Sequence, residues 1–310
     1  MVKTTVTAMT EAVTQLNAEL HAREVRRGER FTFGRNWARF LTTLSDERIS
    51  RAENSLNVML NVSSLEGQRF LDAGSGSGLF SLAARNLGAT VHSFDFDPQS
   101  VACTEELKRR YYSGDLQWTI EQASVLDQSY LHRLGQFEVV YLWGVLHHTG
   151  AMWQALDNIH PLVAPGGQLV IAIYNDQGTR SLRWHRLKQI YNRLPGVCRV
   201  PYTVLVSAPQ EVKSALRALI SGQMKTYLQS WRVPSPRRGM NRWHDLVDWV
   251  GGYPYEFASP EAIFRFFRDR GFVLTELICG NAGLGCNEFV FQKHSSMEIH
   301  HRGSQRLNQI

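Results

Sequence analysis

From Arg69 onward the chain alternates short apolar runs with stretches in which apolar residues recur every three or four positions. Arg69–Ala73, Thr90–Phe96, Leu116–Gln122, Phe137–Trp143 and Gln168–Tyr174 read as strands. Between them, Leu79–Asn86, Val101–Tyr111 and a stretch from Ala151 to Leu162 carry helical spacing. Strands and helices in this alternation predict a parallel sheet wound on both sides, a doubly wound α/β fold.

The flanks follow other rules. Residues 1–20 read as a frayed helical lead, and Ser45-Asp46-Glu47 suits the start of a helix towards Leu60, with Ile49, Ala52, Leu56 and Met59 on one face. After Asn175 the alternation stops, and residues 176–258 hold several helical patterns interrupted by prolines. It resumes at Ser259-Pro260-Glu261, a helix start with proline in first position. A helix Ala262–Arg270 follows, then strands Phe272–Cys279 and Glu288–Gln292 joined by the glycine-rich Gly280–Gly285. The expected division is a helical extension over 1–67 and an α/β core over 68–175. A helical insertion over 176–258, a closing helix and strand pair over 259–293, and a disordered tail over 294–310 complete it.

Charge separates the insertion from the core. Residues 176–258 contain 13 Lys and Arg against 5 Asp and Glu, while the whole chain carries +6, and they hold four of the eight tryptophans. At 43% hydrophobic residues over 310 positions the chain can bury a sizeable core. No apolar run approaches the 18 or so residues of a membrane span, and the N-terminus lacks the unbroken apolar centre of a signal peptide. The four cysteines form no CxxC pair, which argues against a zinc site or disulfide scaffold. The expectation is a cytoplasmic protein without a structural metal.

The densest chemistry lies in Phe70-Leu71-Asp72-Ala73-Gly74-Ser75-Gly76-Ser77-Gly78, where a strand ends in an acid and enters a glycine loop. Glycines let the backbone turn tightly and approach a ligand closely. Such a loop also suits a dinucleotide phosphate, but Asp72 places a negative charge at its start, which repels phosphate and favours a cationic ligand. Asp95 lies 21 residues after Gly74, at the end of the second strand, where a carboxylate can hold both hydroxyls of a ribose.

This region resembles the class I S-adenosylmethionine-dependent methyltransferases. The residues that carry the resemblance are Leu71–Gly78, Phe94-Asp95-Phe96-Asp97, Phe137–Val140 leading to Gly144-Val145-Leu146-His147-His148, and Leu162–Gly167. It covers 68–175 well and 259–293 loosely, and the Leu-His-His element leans towards the branch that includes the quinone-biosynthesis O-methyltransferases. The resemblance implies a Rossmann-like methyltransferase sheet and S-adenosylmethionine as cofactor. It implies that Gly74, Gly76 and Gly78 wrap the methionine moiety beside Asp72, that Asp95 holds the ribose and that Phe96 packs on the adenine. Ser124 or the Val125 amide stands where relatives meet the adenine amine, with Asp127 as fallback.

His147 and His148 follow the fourth strand at the carboxyl edge, where one could take a proton from an acceptor as the methyl moves, or where both simply cap and pack. Tyr174 and Asn175 end the fifth strand at the same edge. Trp243, His244, Tyr253 and Tyr255 belong to an aromatic cluster with a Gly251-Gly252 pair, which reads as an acceptor lid or as a docking helix and turn. Phe33 and Trp37 are candidates for a cofactor cover or for ordinary core. The basic residues Arg180, Arg183, Arg186 and Lys188 read as a solvated face, as a receiver for an anionic or lipid-linked acceptor at a membrane surface, or as a nucleic-acid contact. A small or lipid-like acceptor methylated at oxygen is the expected function, with RNA or peptide methylation and a catalytically silent cofactor-binding protein as alternatives.

Overall fold

The computed structural model describes residues 2–231, 242–280 and 283–295, with side chains from residue 14 onward. The expected tail from residue 296 and positions 281–282 of the glycine-rich link lie outside the described residues. Three helices lead: α1 (Val2–Arg26), α2 (Gly34–Thr42) and α3 (Asp46–Leu60). The core follows as β1 (Arg69–Ala73), α4 (Leu79–Asn86), β2 (Thr90–Asp95), α5 (Pro98–Tyr111), β3 (Trp118–Gln122), α6 (Gln128–Leu134), β4 (Phe137–Trp143), α7 (Met152–Ile159) and β5 (Val163–Tyr174). Then come α8 (Thr179–Arg193), α9 (Gly196–Ile220), α10 (Met224–Gln229) and α11 (Arg242–Gly251), before α12 (Pro260–Arg268), β6 (Phe272–Ile278) and β7 (Cys286–Lys293).

The seven strands lie in the order β3-β2-β1-β4-β5-β7-β6. β1 to β5 are parallel, and β7 runs antiparallel between β5 and β6. Strand order reverses between β1 and β4, and open α/β sheets bind ligands beyond the carboxyl ends of strands at such a point. Alternation along each strand supplies both faces. Phe70, Val139, Val170 and Val290 pack towards α3, α4 and α5, whereas their chain neighbours Leu71, Val140, Ile171 and Phe291 pack towards α6, α7 and α12. A sheet apolar on both faces must be covered by helices on both.

One reading of the N-terminal region is corrected, and the helix from Ser45 towards Leu60 is found as expected. α1 runs unbroken from Val2 to Arg26 rather than fraying over its first 20 residues; its Asn17 and His21 are buried, and the Asn17 amide donates to the Gln122 carbonyl at the end of β3. Tertiary contact, not an apolar stripe, holds it. Ser45 adopts the extended N-cap conformation before α3 but makes no side-chain cap bond, leaving Asp46 and Glu47 in the first turn to offset the helix dipole. α9 runs through Pro201 and Pro209. The carbonyls those rings leave unbonded belong to Val197 and Leu205, both strongly exposed, where water can satisfy them.

The segment α8–α11 docks through a small apolar cluster of Phe31, Tyr191 and Val250. Its anchor is Lys188, fully buried, whose ammonium donates to the Trp249 carbonyl. That ammonium lies 4.5 Å from the Trp249 ring centre and 4.9 Å from that of Tyr255. Burial pushes its pKa down to about 7. A lysine so held fixes Trp249 over the sheet edge.

Candidate functional site

The glycine loop turns through three left-handed residues, Gly74, Gly76 and Gly78, with φ of 83°, 56° and 78°. Gly74 and Gly76 also have no room for a side chain. A Cβ on Gly74 would come within 2.5 Å of Val145, and one on Gly76 within 3.0 Å of the Trp37 ring. The loop borders a cavity of about 780 Å³ at the carboxyl edge of the sheet, a size suited to small-molecule and cofactor sites.

Among the described residues five carboxylates line this cavity, and two of them, Asp72 and Asp95, stand beside the glycine loop. Asp95 accepts from the Gly76 amide at 2.9 Å and the Asp97 amide at 2.8 Å, so it shapes the loop it faces. Asp72 accepts from the Ser81 hydroxyl at 2.5 Å, and Ser81 continues to Ser93 and the Trp118 indole. Burial raises the Asp72 pKa to about 7 and the Asp95 pKa to about 6. Ligand positive charge near them would restore the ionised forms. Phe96, Ser124 and Val125 also line the cavity. Phe96 is flanked by His21, its ring centre 5.5 Å away, and by the Arg30 guanidinium at 4.9 Å.

Two cofactor candidates lie elsewhere. Gly78 is outside the cavity lining, and its tight neighbour is Thr104 of α5, which a Cβ would approach to 2.9 Å. The third glycine thus packs helix on helix instead of wrapping a ligand. Asp127 is the N-cap of α6, accepting from the Tyr130 amide and the Ser129 hydroxyl, and it does not line the cavity, whereas Ser124 and Val125 do.

The two histidines occupy a 3₁₀ turn over Leu146–His148 and both line the cavity. The His147 ring centre lies 3.9 Å from that of Tyr174, and burial holds its pKa well below the usual histidine range. His148 Nδ1 contacts the Pro254 carbonyl at 2.5 Å. Because a carbonyl can only accept, Nδ1 carries the proton and Nε2 is left as an acceptor. Burial, with Lys188 and Arg30 adding positive charge, pushes the His148 pKa down to about 3. Phe33 lies against it at 4.7 Å between ring centres.

The turn is clamped from both sides. Arg30 donates to the carbonyls of His148 and Thr149. Glu256 accepts from the amides of Gly150 and Met152 and from the Thr149 hydroxyl, while its own amide donates to the His147 carbonyl.

Of the acceptor candidates, only Tyr174 lines the cavity. Asn175 instead ties the sheet edge together, donating to the Gly283 carbonyl and accepting from Asn287. Tyr255 is buried behind Tyr174 with ring centres 4.9 Å apart, and Tyr253 accepts from Gln189. Trp243 and His244 lie on the first turn of α11, outside the lining, whereas Trp249 of the same helix reaches it. Gly251 and Gly252 are contact residues, since a Cβ on Gly251 would come within 2.4 Å of Phe31. Phe33 and Trp37 both line the cavity.

The cavity is also lined by residues that no sequence motif marks as a site: Arg48 and Met59 of α3, Tyr141 and Trp143 of β4, and Glu288 of β7. The Tyr141 hydroxyl is buried without a hydrogen-bond partner among the described residues. No spacing rule links α3 to β4 and β7; only Asp97, inside the matched Phe94–Asp97 segment, carried a local signal.

Part of the chain is similar to known proteins. Residues 71–169 match the family described as a methyltransferase domain. The ribosomal protein L11 methyltransferase of Methylococcus capsulatus is 35% identical over 115 residues, covering 36% of this chain and 36% of that protein. A ubiquinone biosynthesis O-methyltransferase of Pseudomonas aeruginosa is 32% identical over 113 residues, covering 36% of this chain and 46% of that protein. The chain therefore spans less than half the length of these curated relatives. Among solved structures, magnesium protoporphyrin IX methyltransferase from Synechocystis PCC 6803 with bound SAH aligns at a TM-score of 0.47 and 13% identity, covering 79% of this chain and 82% of that one. The segment from β1 into β5 is a methyltransferase domain.

Proposed function

We propose that this protein transfers a methyl group from S-adenosylmethionine to a small-molecule acceptor, at an oxygen of a phenol-, quinol-type or anionic molecule. The supporting observation is one cavity that joins a glycine loop and two desolvated carboxylates to aromatic side chains and a histidine of fixed tautomer. The residues fit the cofactor: two raised carboxylates gain from a ligand bearing ammonium and sulfonium charge. Asp95 would hold the ribose, Asp72 with Gly74 and Gly76 the amino-acid end, and Phe96, Ser124 and Val125 the adenine. When bound, S-adenosylmethionine supplies an electrophilic methyl group.

The protein's own task is to place the acceptor oxygen in line and keep water out. Phe33, Trp37 and Trp249 wall the cavity, and Tyr174 borders the histidines. His148 can take the acceptor proton at Nε2 because Nδ1 is committed to Pro254. Burial keeps it neutral at physiological pH but also makes it a weak base in the free protein. Its first role is therefore to accept a hydrogen bond that orients the acceptor hydroxyl, and it holds the proton only while methyl transfer makes that oxygen acidic. The lining favours a flat acceptor, with Tyr141 and Trp143 as aromatic surfaces and Arg48 offering positive charge. A cytoplasmic setting suits the free cysteines, and among the described residues no helix is long and apolar enough to cross a membrane.

Calorimetric titration with S-adenosylhomocysteine, with NADH as control, tests the cofactor. Binding of the former alone at about micromolar Kd is expected, and binding of NADH alone overturns the reading. Methyl transfer to a phenolic probe then separates an enzyme from a silent cofactor-binding protein, and transfer only to nitrogen rejects the oxygen assignment.

The carboxylates also predict a pH dependence. A group whose pKa falls on binding releases its proton, so affinity climbs with pH through the free-state pKa and levels off above it. Affinity for S-adenosylmethionine should rise between pH 5 and 8, with proton release near pH 6 to 7 measurable by titration in buffers of different ionisation enthalpy. His148 stays neutral across this range. Affinity that is flat with pH rejects the carboxylate assignment.

A further inference from the structure

α9 carries an apolar face with no partner in the described chain. Val197, Val200, Val204, Leu205, Val212 and Leu216 are 53–86% exposed. At 100° per residue they fall within an arc of roughly 160°. The opposite face is the one that packs: Tyr202 and Val206 join the cluster around Phe31 and Tyr191, and Thr203 and Ser207 are buried. Leu182 and Ile190 of α8 and Leu228 of α10 are exposed as well. A contiguous patch of this kind on a folded chain marks an interaction surface.

Charge identifies what the surface fits. Between Gln177 and Trp231 the sole acidic residue is Glu211, and it is engaged by Arg242 and by the Tyr227 hydroxyl. The neighbouring helices expose Arg183, Arg186 and Arg193 of α8 and Lys225 of α10. We propose that α8–α10 form a peripheral docking surface for an anionic lipid bilayer. The apolar face of α9 enters the boundary between headgroups and acyl chains, and the basic residues of α8 and α10 meet the lipid phosphates.

Apolar burial and basic charge together give the two signals that stable peripheral binding needs. A second copy of the chain fits less well, because a two-fold interface would set these cations against themselves. Nucleic acid would engage the cations but leave the apolar face of α9 in water. The surface lies outside the cavity lining, so the proposal does not depend on the identity of the acceptor.

Vesicle flotation with the full chain tests it, using phosphatidylcholine alone and an equal mixture of phosphatidylcholine and phosphatidylglycerol. The protein should float with the anionic vesicles, less so at high salt, and remain behind with the neutral ones. The double variant Leu205→Glu/Leu216→Glu should lose about tenfold in binding, and Arg183→Glu/Arg186→Glu should also weaken it. Unchanged circular dichroism and thermal melting confirm that the variants fold. Three results overturn the proposal: no flotation of the folded wild type, a stable dimer that Leu205→Glu/Leu216→Glu dissociates, or RNA binding that survives this double variant while vesicle binding is absent.

Discussion

Replacing Asp95 with asparagine lowers affinity for S-adenosylhomocysteine by about a hundredfold. Hydrogen bonds to a charged acceptor contribute about 1.5–3 kcal/mol each, and under the proposed function Asp95 accepts two from a ribose. The substitution also disturbs the loop. In the free protein one carboxylate oxygen accepts from Gly76 and the other from Asp97, so an amide would present its NH₂ to one of those donors. Titration calorimetry on the folded variant checks the result, and affinity within about threefold of wild type removes Asp95 from the cofactor site. Asp127→Asn is the matched control. Asp127 caps α6 away from the cavity, so its loss should cost stability while leaving affinity unchanged.

Glu256→Ala produces the largest expected loss of stability. Glu256 is half-buried and its carboxylate receives the Gly150 and Met152 amides and the Thr149 hydroxyl. The Met152 amide opens α7, where a negative charge also meets the helix dipole. Removing several charge-assisted bonds at once costs about 2–4 kcal/mol, which for a chain of 310 residues lowers Tm by roughly 3–6 °C. Glu256→Gln retains an acceptor and should fall between. Differential scanning calorimetry measures both, and a Tm within about 2 °C of wild type for Glu256→Ala would show that the clamp is dispensable. The effect extends to the site, because the same residue holds the turn that presents His147 and His148.

Much of this fold was legible in the sequence because its signals are local. Leu79–Asn86 and Phe137–Trp143 match the observed helix and strand to the residue, since a glycine loop and a doubly buried strand leave no competing reading. α2 and α6 were missed, being short elements of nine and seven residues whose stability comes from what they pack on. The glycine loop, Asp72, Asp95 and the histidine pair could likewise be read directly, as each lies at the end of a strand whose direction the alternation fixes.

Tertiary structure decided what local patterning cannot carry. Gly78 left the ligand loop because α5 passes within van der Waals reach of it. Within α11 it is Trp249 rather than Trp243 that reaches the cavity, because the buried Lys188 holds the backbone of Trp249. The antiparallel insertion of β7 between β5 and β6 brings Glu288 into the same cavity as Tyr141, and α3 contributes Arg48 across a sequence gap of more than ninety residues. Sequence alone determined the strand ends, where the ligand edge must lie. Which side chains meet there, and which helix faces are left without a partner, depends on long-range packing and burial that no single stretch of the chain encodes.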